Sequence, residues 1–145
     1  IKDILEYVKN DFEDELNDKN INLEISSTCS QREITVDLVK LKRVFGNIIN
    51  NSVTHFNGRD GLIKINVLSR ANMIRFEIAD NGGGVKTETD LKRIFEPLYT
   101  TDPSRKISGL GLSICKQIIS SFDGRIYAKN NEIGGLSIIF LIPKS

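Results

Sequence analysis

Apolar positions recur with helical period from the start of the chain. Ile4, Leu5, Val8, Phe12 and Leu16 form one stripe, with acids and lysines between them. This spacing predicts a helix over 3–18, with Asp3 as its N-cap. The segment 21–25 (INLEI) then alternates apolar and polar, the signature of a half-buried strand, and 33–36 offers a second short one. A stronger helical stripe follows from Asp37, whose carboxylate suits an N-cap. Leu38, Leu41, Phe45 and Ile48 define it, Val44, Ile49 and Val53 widen it, and Asn57-Gly58 ends it after Phe56. Two alternating runs, 62–68 and 73–79, flank a short polar turn at 70–72 and predict an antiparallel hairpin. The alternation stops at Asp80-Asn81-Gly82-Gly83-Gly84. Between 85 and 109 only a short helix around 91–95 is suggested, and so long a connection inside a compact domain is usually functional or mobile. Residues 110–122 form another striped helix through Leu112, Ile114, Cys115, Ile118 and Ile119. Strands at 125–129 and 136–142 close the chain, and Pro143 ends the last.

The order is helix, two strands, helix, hairpin, long loop, helix, hairpin. Strands that neighbour in sequence are expected to pair antiparallel, with the helices on one face. That is an α/β two-layer sandwich and not a doubly wound parallel sheet. No internal repeat or low-complexity segment interrupts it.

Composition narrows the class. The 145 residues are 39% hydrophobic and 27% charged, as in one globular domain, 1–145. Twenty Lys+Arg against 19 Asp+Glu give a net charge of +1. Such a balance lacks the basic footprint of a nucleic-acid binder, so no nucleic-acid partner is expected. The two cysteines, Cys29 and Cys115, lie far apart and outside any CxxC, as packing residues of a reducing compartment do. One histidine, His55, excludes a multi-histidine zinc site. No apolar run approaches the ~20 residues of a membrane helix. The chain opens on Ile1 and not Met, and is expected to be a piece of a longer protein.

Three segments carry chemistry. Asn47, Asn51 and His55 sit at i, i+4 and i+8 on the second helix and share a face. Asparagine is a poor helix former, because its side chain competes for backbone hydrogen bonds. The face is either simply solvated or a set of carboxamides aimed at a ligand, and an amide oxygen suits Mg²⁺ completed by phosphates and waters. Asp80 ends the alternation of Ile74, Phe76 and Ile78, which places its carboxylate at the floor of the sheet, and the glycines after it permit close backbone approach. A carboxylate there can accept the exocyclic amine of adenine. Finally, Ser108-Gly109-Leu110-Gly111-Leu112-Ser113 leads straight into a helix, where backbone amides and the helix dipole can face phosphate. Arg105 and Lys106 precede it. No GK[ST] follows, so this is not a Walker A loop.

In this order, with RIFEPLYTT (93–101) between the last two, the segments resemble the boxes of the catalytic ATP-binding domain of sensor histidine kinases, in the Bergerat-fold ATPase superfamily. NIINNSVTH (47–55) is similar to the N box, DNGGG (80–84) to G1, RIFEPLYTT to the F box, SGLGLSICK (108–116) to G2, and GGLSIIFLIP (134–143) to the closing strand motif. The resemblance covers nearly the whole chain. It implies a mixed, largely antiparallel sheet of about five strands covered on one face by three helices.

The resemblance also implies roles. Asn51 would coordinate Mg²⁺, with Asn47 supporting the phosphates and Arg105 reaching them. Asp80 would hold the adenine amine, with Gly82, Gly84, Val85 and His55 around the base and Ser137 seconding the contact. Residues 85–109 would form the ATP lid, anchored by Phe95 and Tyr99. Ser108, Gly109, Leu110, Gly111 and Leu112 would bring backbone to the phosphates. ATP and Mg²⁺ are the implied cofactors. The implied partners are the protein's own N-terminal dimerisation domain, which carries the phosphorylated histidine, and a response regulator receiver domain. A homodimer anchored in the membrane, with this domain cytoplasmic, completes the expectation. The chain departs from the family pattern at Thr54, where a Lys or Arg is common, at Ile107, where a glycine is usual, and at Leu98, where a second Phe is usual.

Rival classes differ at identifiable residues. ATP-hydrolysing relatives of the gyrase, mismatch-repair or heat-shock chaperone kind use a carboxylate base about one turn before the metal-binding Asn; Asn47 occupies that place, and an amide cannot abstract a proton. Anti-sigma-type serine kinases also normally carry an acid there and lack the FEPLYTT segment. A degenerate regulatory module with weak nucleotide binding would fit Thr54 and Ile107 but not the intact Asp80 and GLGL.

Overall fold

The computed structural model describes residues 1–28, 34, 36–56, 58–84, 88–96 and 111–144. The expected strand at 33–36 falls largely outside them. The first helix, α1 (Lys2–Asp18), buries Ile4, Val8 and Leu16. Its first turn closes with the Leu5 amide on the Ile1 carbonyl at 3.1 Å. Ile1 therefore occupies the N-cap with no side-chain hydrogen bond, and the expected cap, Asp3, lies inside the first turn. There its charge complements the helix dipole instead.

After α1, Asn20 takes a positive φ of 58° to turn the chain into β1 (Ile21–Ser27). Helix α2 (Leu38–Phe56) starts as expected: Asp37 Oδ1 accepts the Lys40 amide at 3.2 Å. Its buried stripe is Leu41, Val44, Phe45, Ile48 and Ile49; Leu38 is 45% exposed, so the stripe begins one turn later than the sequence suggests. Strands β2 (Gly61–Arg70) and β3 (Met73–Asp80) form the expected hairpin, with Ala71 at φ 54° in the turn. A short α3 (Glu88–Arg93) precedes α4 (Gly111–Ser121), and β4 (Arg125–Asn130) and β5 (Leu136–Pro143) complete the sheet.

The strand order is β1-β2-β3-β5-β4. Three of the four pairings are antiparallel, but β1 and β2 are parallel, from Ile21↔Gly61 to Ser27↔Val67. The expectation that all sequence neighbours pair antiparallel is thus corrected at this pair. The connection from β1 to β2 runs through α2, and a helical crossover returns the chain in the same direction.

The helices cover one face of this open sheet. Phe45 from α2 meets Phe76 of β3 and Phe140 of β5 edge-on, with centroids 5.9 and 5.6 Å away, while Phe76 and Phe140 stack at 4.7 Å. Each fully buried phenyl contributes about 1.5–3 kcal/mol, and edge-to-face pairs add to that. On β3, Ile74, Phe76 and Ile78 alternate into this core. The same period carries Asp80 to the helix side at the strand end. On the other face Arg75 Nη1 donates to Glu77 Oε1 at 3.0 Å. Burial pushes the Glu77 carboxyl up, but the Ser137 hydroxyl and the Arg75 guanidinium more than offset it and hold the group below its ordinary range.

Candidate nucleotide site

Asp80 lies 1% exposed where β3 ends, beneath the last turn of α2. Its Oδ1 accepts the Gly82 amide at 3.0 Å and the Leu136 amide at 3.2 Å. Its Oδ2 stands 4.0 Å from His55 Nδ1, too far for a hydrogen bond. Burial alone would raise the carboxyl's pKa. The nearby His55 imidazole, the two amides and the Ser52 hydroxyl outweigh it, so Asp80 stays below its ordinary value and is an anion at neutral pH. His55 Nδ1 is itself buried with no hydrogen-bond partner. Oδ2 and His55 Nδ1 thus face each other across a small polar gap, with the Ser52 hydroxyl also at the carboxylate.

Glycines shape the mouth of that gap. A Cβ on Gly82 would sit 3.3 Å from His55 Cβ and 3.4 Å from Asp80 Oδ1. Gly83 and Gly84 take positive φ, 104° and 68°. Gly84 faces the β4–β5 turn, where a Cβ would fall 2.5 Å from Asn130 Oδ1. Closest of all is Gly135, whose added Cβ would lie 2.0 Å from the Asp80 carbonyl oxygen.

Two residues that the sequence did not single out hold this arrangement. Asn131 Nδ2 donates to the Asp80 carbonyl at 2.9 Å and to Ser137 Oγ at 3.2 Å, while its Oδ1 accepts the amides of Ile133 at 3.1 Å and Gly135 at 2.9 Å. One carboxamide thus ties the β4–β5 turn to the end of β3. Arg59 Nε donates to the Phe56 carbonyl at 3.0 Å, and its Nη2 reaches the carbonyls of His55 at 3.3 Å and Gly82 at 3.5 Å. It satisfies the end of α2 and clamps it to the glycine turn. The available signals were an Asn four residues before Gly135 and a cation just past a helix end.

Ser137 corrects an expectation. It pairs with Ala79 in the β3–β5 register, one residue out of phase with Asp80, so its hydroxyl lies on the helix-free face with Glu77 and Asn131. It reaches Asp80 only through Asn131.

At the other end of the α2 face, Asn47 Nδ2 donates to the Gly111 carbonyl at 3.2 Å, docking the start of α4 on α2. Asn51 is half-buried one turn further, between Asn47 and His55. Leu112 packs its side chain into the core, leaving only its backbone in the first turn of α4, where leading amides lack intrahelical acceptors. Cys115 behind it is buried, and burial pushes its thiol up to about 12, which marks a packing residue. Phe95 and Ile94 belong to the core. Val85, Tyr99, Arg105, Ser108, Gly109 and Leu110 lie outside the described residues. Among the described residues no cluster of three His, Cys, Asp or Glu could hold a metal, so a cation here would depend on amide oxygen and on ligand oxygens.

This arrangement has known counterparts. Residues 36–145 match the family of histidine kinase-, DNA gyrase B-, and HSP90-like ATPases, and the chain belongs to that family. Within it, the chain has the ATP-binding catalytic domain of the histidine kinases. The signal transduction histidine-protein kinase BaeS of Escherichia coli K12 is 32% identical over 146 residues, covering 97% of this chain and 30% of BaeS. The sensor protein KdpD of Clostridium acetobutylicum is 32% identical over 130 residues, covering 87% of this chain and 14% of KdpD. The nucleotide-free catalytic domain of histidine kinase ThkA superposes with a TM-score of 0.87 at 29% identity, covering 99% of this chain and 92% of that one. ThkA in complex with the response regulator protein TrrA superposes at 0.83 and 28% identity, covering 100% and 40%. The chain thus spans less than a third of the length of BaeS and of KdpD. No described helix is long and apolar enough to cross a membrane.

Proposed function

We propose that residues 1–145 form a single domain that binds Mg·ATP and, within a longer sensor kinase, presents it to a histidine on a separate N-terminal dimerisation domain. One observation carries the site: a buried, anionic Asp80 whose Oδ1 is committed to two backbone amides, while Oδ2 beside His55 keeps room to accept a further hydrogen bond. Such an oxygen suits the exocyclic amine of adenine. Gly82, without a Cβ, leaves room for the base, and His55 forms its wall.

Bound ATP supplies the phosphoryl group, and Mg²⁺ supplies charge neutralisation on its phosphates. Asn51 offers its amide oxygen to the cation, and Asn47 fixes the start of α4, whose leading amides serve the phosphates. Arg105 adds the lid cation that Thr54 does not provide. His55 is half-buried beside Asp80 and belongs to the nucleotide wall, not to the phosphate acceptor. The names of the relatives support a sensor kinase, and the ThkA complex with TrrA supports a response regulator partner; a homodimer and a membrane anchor complete the proposal.

Calorimetric titration with ATP, with and without Mg²⁺, tests the proposal on wild type and Asn51→Ala. Binding strengthened by Mg²⁺ in the wild type alone is expected. No binding at millimolar nucleotide would leave a degenerate module. Acid-labile phosphate on the chain after incubation with labelled ATP would place an acceptor within it and refute the assignment of His55.

A further inference from the structure

At the sheet end opposite Asp80 lies a second cavity of about 610 Å³, lined by Arg70, Lys116, Ser120, Arg125, Tyr127 and Leu141 among others. Arg70 pairs with Met73 at one end of the β2–β3 hairpin, and Ile63 pairs with Asp80 at the other. Seven residues of strand separate them, about 23 Å at strand rise. The cavity is therefore separate from the nucleotide site, and none of the residues given nucleotide roles above lines it.

Its composition is one-sided. Three cations face it from three elements: Arg70 from β2, Arg125 from β4 and Lys116 from α4. No carboxylate lines it. Among the described residues none of the three cations has an ion pair or side-chain hydrogen bond. Basic residues on an exposed edge strand such as β4 can serve only to block pairing with another sheet. That accounts for Arg125 but not for Arg70, which is on an interior strand, or for Lys116, which is on a helix. Like charges converging on one cavity repel, and a bound anion relieves that repulsion. Ser120 adds a hydroxyl, and Leu141 and Tyr127 add an apolar floor and an aromatic face. The glycine beside them is fixed by packing, since a Cβ on Gly124 would lie 2.3 Å from the Leu141 carbonyl oxygen. The volume matches that of small-molecule sites, about 300–1,000 Å³. Two guanidinium forks recognise phosphoryl oxygens in bidentate fashion, and an ammonium adds a point charge.

We propose that this cavity is a second anion site that takes a small molecule bearing two or more phosphoryl groups. Inorganic pyrophosphate is the probe, titrated into the isotope-labelled chain at physiological salt and followed by backbone-amide NMR. Saturable shifts are expected at Ser120, Gly124, Arg125 and Tyr127, separate from any at Gly82 or Gly111. Arg70→Ala with Arg125→Ala should weaken those shifts by about 10-fold or more, as loss of charge-assisted hydrogen bonds implies. In the same double variant, ADP binding at the Asp80 end should be unchanged. Shifts confined to the Gly111 end, shifts that do not saturate in the millimolar range, or an unaltered response in the double variant would each overturn the proposal. So would saturation of the cavity by an oligoglutamate peptide but not by pyrophosphate, which would make it a docking site for an acidic protein segment.

Discussion

Asp80→Asn isolates the chemistry of one oxygen. The replacement keeps the shape and leaves an amide oxygen to accept the Gly82 and Leu136 amides, now at 3.0 and 3.2 Å. The other position changes from acceptor to donor. Its new N–H₂ group has hydrogens to give and no lone pair to offer. An adenine amine then meets a donor where it met a carboxylate. A hydrogen bond to a charged group is worth about 1.5–3 kcal/mol, so ADP affinity should fall about 10- to 150-fold. A purine with a carbonyl in place of the amine should lose far less, narrowing the preference for ADP over GDP. Calorimetry with both nucleotides reads the two constants, and urea unfolding confirms that the variant is folded. An ADP constant within twofold of wild type, in a variant that remains folded, would refute the role of Oδ2.

Three further outcomes follow from the same geometry. Gly135→Ala would drive a Cβ to 2.0 Å from the Asp80 carbonyl oxygen, against backbone that cannot yield; a loss of about 3 kcal/mol or more in urea unfolding is expected, and a loss under about 0.5 would show that the turn is not tightly held. Arg59→Ala removes bonds to three carbonyls on an exposed group, so about 1 kcal/mol of stability should go, with a several-fold weaker ADP constant; unchanged binding would confine Arg59 to capping. Asp80 and Glu77 both titrate below their ordinary values of 3.8 and 4.5 in the folded state, so their stabilisation is complete above those values and is lost as pH falls through the lower folded ones. Acid unfolding of Glu77→Gln should therefore be shallower than that of wild type below about pH 4.5, and equal slopes would contradict the Arg75–Glu77–Ser137 account.

The periodicities were sufficient for the elements because burial follows them directly. Leu41, Phe45 and Ile48 are where a helix of period 3.6 must bury them, and Ile74, Phe76 and Ile78 where an alternating strand must. Asp80 could be placed by the same count, two residues past Ile78. Pairing direction was not local. Nothing in residues 21–27 distinguishes a parallel neighbour from an antiparallel one; the direction is set by where α2 returns the chain. Asp3 shows a similar limit, since a capping side chain is only one way to begin a helix, and here the Ile1 carbonyl does so.

The parts of the site that stayed hidden act through backbone. Asn131 and Arg59 bond mainly to carbonyls and amides, and such contacts leave no residue-type pairing to recognise in the chain. Gly135 is required by an atom 55 positions away in sequence, the carbonyl oxygen of Asp80. Ser137 was misplaced for the complementary reason: proximity in the motif suggested the adenine, whereas a one-residue difference in strand phase puts its hydroxyl on the opposite face. The division has a mechanical consequence. The recognisable residues, Asn47, Asn51, His55 and Asp80, line the proposed nucleotide site, and the less recognisable ones hold its backbone in place. Arg59 ties α2 to the Gly82 turn, and Asn131 ties the β4–β5 turn to Asp80 from the other side. Substitutions at these two residues should therefore alter how well a nucleotide fits while leaving every group that contacts it in place.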